Sequence, residues 1–352
     1  MALPRRAGRR TNVALLGLLA AAFGTGALVF GFGTPGPSSA AVVAHSAVGL
    51  AIVLLVPWKS VIARRGLRRP SGHGGGLVLA GLVALAVLSG LVHAFGGYQV
   101  LADITAMQLH LTAAILVVPV VLLHVLQHPQ RPRRTDLSRR TALRTGLLGG
   151  SALVAYGTLE AASGVLGLPG ADRRVTGSHE RGSGDPDTMP VTQWLDDEVP
   201  VLGAGAAGSG GHRVHAVQLV GPGTVRALDL AGLAAAGDQV DAVLDCTGGW
   251  WAAQTWRGVR VDRLLDAESV PLSGARSLLV VSTTGYARRL PLADASRLLL
   301  ATHVGGAPLS AGHGAPVRLV APGRRGFWWV KWVRRVEVSS TPWWWQPPFP
   351  LT

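Results

Sequence analysis

The sequence predicts two joined architectures: an all-α bundle of five transmembrane helices, followed by a β-rich α+β domain. Three observations lead there. Five apolar runs each supply about the 20 helical residues needed to cross a hydrocarbon core of about 30 Å. Near residue 170 the composition changes from long apolar runs with Gly and Ala to short strand-like segments that carry most of the acids. In the first half, Lys and Arg are confined to alternate connections between the apolar runs. At 352 residues the chain has room for two domains.

The apolar runs cover 12–32, 40–58, 75–95, 107–126 and 145–168, within a helical region spanning 1–168. The first follows Arg5, Arg6, Arg9 and Arg10 and lacks a small-residue cleavage signal, so it reads as an anchor. Lys59, Arg64, Arg65, Arg68 and Arg69 follow the second run, and Arg131, Arg133, Arg134, Arg139, Arg140 and Arg144 follow the fourth. The alternate loops, 33–39 and 96–106, carry no Lys or Arg. Positive loops stay inside. The expectation is a multi-pass protein of the cell membrane, embedded in the lipid bilayer, with a cytoplasmic N-terminus and an extracytoplasmic C-terminal half. Ser138-Arg139-Arg140 at the head of the fifth run reads either as a twin-arginine-like export signal or as one more basic cytoplasmic loop.

This arrangement also accounts for the net charge of +14. Fifteen Lys and Arg precede residue 170, all before or between apolar runs, and the 18 that follow are accompanied by 16 acids. No basic face with interleaved aromatics is left over, which argues against a nucleic-acid partner.

Ionisable residues inside a membrane are costly and usually functional. His45, His93 and His110 fall near the outer ends of the second, third and fourth runs; His73, His124 and His128 fall near inner ends. His110 and His124 lie 14 residues apart, about four helical turns, and so share a face. The arrangement resembles a cytochrome-b-type bundle. The resemblance implies a b-type haem whose iron is held by two of His45, His93 and His110, and an inner haem only if His124 finds a partner such as His73. The other reading is a metal-free bundle that serves as anchor and quinone contact.

In the C-terminal half a Gly/Ser/Asp-rich linker and first contact segment (169–212) leads into a domain at 213–340 and an aromatic, proline-rich tail at 341–352. Strands are predicted near 214–220, 241–246, 277–283, 316–321 and 332–338, and short helices near 229–236, 261–267 and 292–301. The tail, with Trp343, Trp344 and Trp345, is expected on the membrane interface or on the bundle.

With one cysteine, no intrachain disulfide forms. Cys246 ends an apolar strand, and Gly248 and Gly249 after it let the backbone approach a bulky ligand. Residues 244–258 read LDCTGGWWAAQTWRG and residues 311–331 read AGHGAPVRLVAPGRRGFWWVK. Together, in this order, they resemble the molybdopterin-binding domain of the sulfite oxidase family, which includes periplasmic methionine-sulfoxide-reductase catalytic subunits. The resemblance spans roughly residues 175–340. It implies a sulfite-oxidase-type fold, a molybdopterin–molybdenum cofactor, Cys246 as the metal ligand, and cofactor contacts from His313, Arg318, Trp329, Val330 and Lys331. The residue chemistry agrees: a thiolate is a soft metal donor, Arg offers a planar fork to phosphate, and Lys a point charge.

Ser178 and His179 stand where better-known relatives carry an Asn and an aromatic pair, and are weaker candidates for pterin contact; Thr283 is a candidate wall of the site. Trp250, Trp251 and Trp256 are expected to pack around the pocket; Arg324 and Arg325 read either as phosphate contacts or, the commoner outcome for such residues, as exposed turn residues. The implied function is extracytoplasmic two-electron or oxygen-atom-transfer chemistry on a small-molecule substrate, with electrons exchanged with a haem, a quinone or a redox partner subunit. The alternative is a haem electron-transfer membrane protein with a non-catalytic pterin-binding-like domain. Intact Cys246, Arg318 and Lys331 favour the enzyme.

Overall fold

The computed structural model describes residues 8–67, 74–129, 133, 136, 138–192 and 216–349. His73, several arginines of the basic loops and residues 193–212 of the expected linker lie outside the described residues. The chain divides into two compact units, Met1–His179 and Glu180–Thr352.

The first unit is built of five long helices: α1 (Arg9–Gly31), α2 (Pro35–Leu67), α3 (Gly74–Gly96), α4 (Ala106–Gln127) and α5 (Arg139–Val165). Helix α1 packs on α2, α3 on α4, and α5 on α2. Local chemistry sets two of the starts. Thr105 and Gln108 form a reciprocal capping box before α4, and Ser138, which opens the Arg139-Arg140 pair, accepts the Thr141 amide at 3.3 Å before α5. Leu116, Leu122, Leu123 and Leu126 of α4 point outward and are exposed.

Four helices, α1 to α4, are long and apolar enough to cross a membrane. The expected fifth run does form a helix, but it falls short of the other four in apolarity. Glu160 lies inside it, five glycines dilute it, and Arg139, Arg140 and Arg144 occupy its first turns.

The second unit is β-rich, with two sheets. In one, the strand Trp250–Arg260 is flanked by Asp238–Asp245 and by Leu299–Val304, all antiparallel, and Arg318–Val320 and Ala307–Pro308 also pair with Leu299–Val304. The other sheet runs in the order Thr224–Asp229, Ala216–Gly221, Val333–Ser339, Ser277–Ser282, Ala287–Pro291, and only the pairing of Val333–Ser339 with Ala216–Gly221 is parallel. Short helices cover Leu230–Ala235 and Val261–Ala267. In Trp250–Arg260 the even-numbered positions Trp250, Ala252, Gln254, Trp256 and Gly258 are buried, the period of two expected of a strand.

One predicted element is corrected. The helix expected at 292–301 is a 3₁₀ turn over Leu292–Arg297, and the chain then enters the strand Leu299–Val304. Leu298, Leu299, Leu300 and Ala301 are all buried. A strand covered on both faces loses its alternation and cannot be told from a buried helix by pattern alone.

Close approach of two strands requires a glycine at one point. A Cβ on Gly258 would lie 2.0 Å from the Leu300 carbonyl oxygen. Gly258→Ala is therefore expected to destabilise this unit by about 3 kcal/mol, whereas Gly237→Ala, which meets nothing within 4 Å, should be neutral. Thermal unfolding followed by tryptophan fluorescence separates the two variants, and equal midpoints would remove the steric argument.

Candidate functional site

Cys246 lies in the turn of a hairpin. The strand Asp238–Asp245 ends, residues 246–249 reverse the chain, and Trp250–Arg260 returns antiparallel to it. The Cys246 amide donates to the Trp250 carbonyl at 2.8 Å, and the Gly249 amide to the Cys246 carbonyl at 3.2 Å. Gly249 has φ +91°, a conformation a side chain would strain. The Gly248 amide faces the sulfur, 3.4 Å from Cys246 Sγ. The thiol is half-buried and is the chain's sole cysteine.

The turn is held from behind by the loop at 321–329. Arg325 forms an ion pair with Asp245, and both side chains are buried. Gly326 lies so close that a Cβ there would sit 3.0 Å from Cys246 Cα. Arg325 was expected to be an exposed turn residue; at 4 % exposure it is a structural cation packed against the Cys246 backbone. The sequence did carry a signal, an acid directly before Cys246, but nothing in it joins residues 80 positions apart. Arg324, the other turn arginine, pairs with Asp294 and lies over the Trp328 ring.

A second turn, at 311–318, brings the remaining candidates together. His313 is buried, with its Nε2–H donating to the Met189 carbonyl at 3.1 Å and its Nδ1 accepting from the Ser310 hydroxyl at 2.8 Å. Arg318 is 2 % exposed. Its guanidinium lies 5.2 Å over Trp256 and 5.6 Å over Trp329, and one nitrogen donates to the His313 carbonyl at 3.1 Å. Cation–π contact with two indoles stabilises a charge taken out of water. Burial still pushes Arg318 down to about 10, while the charge of Cys246 acts in the opposite direction. Lys331 donates to the Gly312 carbonyl at 2.8 Å. Gly314, at φ +104°, lies between the two cations, its Cβ position 3.1 Å from Cβ of Arg318 and from Cβ of Lys331. Trp329 and Val330 are core residues: Trp329 Nε1 donates to the Arg324 carbonyl at 3.1 Å, and the Val330 carbonyl accepts the Leu319 amide at 2.8 Å. Thr283 joins the group through its amide, which donates to the Trp332 carbonyl at 2.9 Å.

Ser178 and His179 belong to the helical unit and are buried there. His179 Nε2 donates to the His93 carbonyl at 2.7 Å, and the two rings are 4.8 Å apart.

An anionic, phosphorylated pterin is compatible with this donor set. Arg318 Nε and Thr283 Oγ1 are both buried with no hydrogen-bond partner among the described residues, and a buried donor left unsatisfied costs about 1–3 kcal/mol. Gly312 and Gly314 line the same turn without side chains. Among the described residues no cluster of three or more His, Cys, Asp or Glu could hold a metal, so a metal here needs ligand atoms beyond the thiolate, which a pterin dithiolene would supply.

His313 carries a pH signature. Burial first, and then the charges of Arg318 and Lys331, push it down to about 4, against about 6.5 in an unfolded chain. Its stabilising contribution is therefore complete above pH about 6.5 and is lost as pH falls toward 4, because only the unfolded chain then takes up the proton. His313→Gln should flatten the fall in denaturant midpoint across that window. An unchanged pH profile would mean that the imidazole is not held neutral.

Residues 217–345 match the family model for the oxidoreductase molybdopterin binding domain. A stretch of 61 residues is 46% identical to mitochondrial sulfite oxidase of Rattus norvegicus, covering 16% of this chain and 11% of that protein, and 60 residues are 46% identical to the Homo sapiens enzyme. The match thus spans about a tenth of the length of these curated relatives. The sulfane dehydrogenase SoxCD from Paracoccus pantotrophus is similar at 23% identity and a TM-score of 0.34, over 36% of this chain and 38% of that one. Residues 217–345 are thus similar to an oxidoreductase molybdopterin binding domain, and a stretch of the chain is similar to mitochondrial sulfite oxidase.

Proposed function

We propose that the protein is a membrane-anchored, molybdopterin-dependent oxidoreductase that carries out two-electron chemistry on a small molecule outside the cytoplasm, with Cys246 as the thiolate ligand of molybdenum. One observation carries the reading: the sole thiol occupies a glycine turn in the same domain as a buried Arg318 whose Nε has no hydrogen-bond partner among the described residues. A molybdopterin bound there supplies oxygen-atom transfer or a related two-electron exchange. The chain's own contribution is positioning. Arg318 and Thr283 offer unsatisfied donors to the pterin and its phosphate, Lys331 adds a second cation, and His313, held neutral, fixes the 311–314 turn. Trp256 and Trp329 enclose Arg318 and keep water from it.

A b-type haem in the helical unit is the proposed route for electrons to or from a quinone or a redox partner subunit, and the hydrogen bonds favour His45 and His110 as its ligands. His45 Nδ1 lies 3.1 Å from the Ala22 carbonyl and His110 Nδ1 2.6 Å from the Ala86 carbonyl. A carbonyl only accepts, so both protons sit on Nδ1 and both Nε2 lone pairs are left for a metal, the arrangement in which the far ring N–H is anchored while the other nitrogen ligates. The two rings stand 5.8 Å apart, so His45 and His110 would together hold the iron. His93 differs: its Nε2 is engaged by the Gly177 carbonyl at 3.0 Å.

The orientation rests on the basic segments meeting at one end of the bundle. Arg9 pairs with Asp136, and Lys59 donates to Asn12 at 3.2 Å. In this reading α5 makes the fifth crossing. Its 27 residues reach about 40 Å, and the ion pair of Glu160 with Arg173 lowers the cost of a charge near the outer surface.

Cys246→Ser is expected to abolish the molybdenum(V) EPR signal of the full-length, detergent-solubilised protein, which should otherwise hold about one molybdenum per chain. A protein that carries haem but no molybdenum would instead be an electron carrier. For the haem, His45→Ala and His110→Ala should each remove the reduced b-type absorption band while His93→Ala retains it. Loss of the band only in His93→Ala would overturn the assignment.

A further inference from the structure

The segment Met189–Thr192 runs along both turns of the molybdopterin-binding site. Its Met189 carbonyl accepts from His313 at 3.1 Å, and Val191 fills the space that a Cβ on Gly312 would need. Thr192 then reaches the other turn. Trp250, 2 % exposed, donates its indole N–H to Thr192 Oγ1 at 2.7 Å. The Gly248 Cβ position lies 2.6 Å from that oxygen and 2.8 Å from Thr192 Cγ2, so only a glycine at 248 lets the hydroxyl come so near. The amide of this same Gly248 faces Cys246 Sγ at 3.4 Å.

An indole N–H donates and never accepts. In the bond with Trp250 the hydroxyl oxygen is therefore the acceptor, and its own proton has no acceptor among the described residues. A fixed hydroxyl with an unused proton thus lies against the turn that presents the sulfur. Hydrogen bonds to a ligating thiolate draw charge from it and tune the metal's reduction potential, so the placement has a chemical consequence.

We propose that Thr192 is a positioning residue of the metal centre: anchored by Trp250, it donates a hydrogen bond to the Cys246 sulfur when that sulfur is a metal-bound thiolate, alongside the Gly248 amide. The inference rests on Cys246 being the ligand. It makes the strap at 189–192 part of the electronic environment of the metal, and explains why a glycine follows the thiol by two residues.

The test uses the full-length, molybdenum-loaded protein and three variants. Thr192→Val keeps the shape and removes the hydroxyl. It should retain molybdenum, shift the midpoint potential of the centre downward, and alter the g-values of the molybdenum(V) signal; Thr192→Ser should restore both. Two outcomes would overturn the proposal: unchanged potential and g-values in Thr192→Val, or lowered molybdenum content and thermal stability with an unshifted potential, which is what a purely structural strap predicts. Cys246→Ser separates the two levels of inference. If it leaves the metal signal intact, ligation by Cys246 fails; if it abolishes the signal while Thr192→Val changes nothing, only the hydroxyl assignment fails.

Discussion

The C-terminal unit is organised around the buried ion pair of Asp245 with Arg325. Asp245 is the last residue of a strand and Arg325 belongs to a loop 80 residues later. A buried pair of this kind offsets the desolvation of two charges only when both partners are in place, and removing either leaves an uncompensated charge at a cost of about 3–5 kcal/mol. The pair therefore holds the 321–329 loop against the turn that presents Cys246. From that contact the rest of the site follows: Gly326 fits behind the Cys246 backbone, Trp329 stacks edge-on against Trp256 with rings 5.5 Å apart, and the two indoles hold Arg318. The thiol's position is set by these long-range contacts more than by its own hairpin.

The two units solve opposite solvation problems. The β-rich unit buries large side chains inward, with Trp256, Arg318 and a run of leucines fully enclosed. The helical unit has few buried side chains and leaves leucines and valines exposed along α3, α4 and α5. Its polar groups are accordingly few and committed. His45 and His110 are each tied by Nδ1 to a carbonyl of a neighbouring helix, and His93 and His179 are tied to backbone carbonyls as well. In an apolar surrounding an unsatisfied imidazole is costly, so each bond also fixes a tautomer. Which nitrogen remains for a metal is then decided by helix–helix contact, a property that spacing along the chain does not encode.

Patterns with a short physical range were legible before any coordinates. The apolar runs marked the helices because each is long and continuously apolar, and the strands at 277–282 and 333–339 announced themselves by composition. Short motifs around Cys246 and 311–331 identified the domain. Illegible were the strands Trp250–Arg260 and Leu299–Val304: tryptophans and glycine obscured the first, and burial on both faces removed the alternation of the second.

By itself, then, the sequence determined an apolar helical half, a β-rich half, and the residue types of a molybdopterin-binding domain, because each of these is written in neighbouring residues. Tertiary structure alone decided that Arg325 is buried against the Cys246 backbone, that the His45 and His110 rings come within 5.8 Å, and that the Thr192 hydroxyl lies against the Cys246 turn. Those facts depend on which distant segments meet. Meeting is governed by burial and hydrogen-bond satisfaction summed over the whole unit, and no local pattern of residues carries that sum.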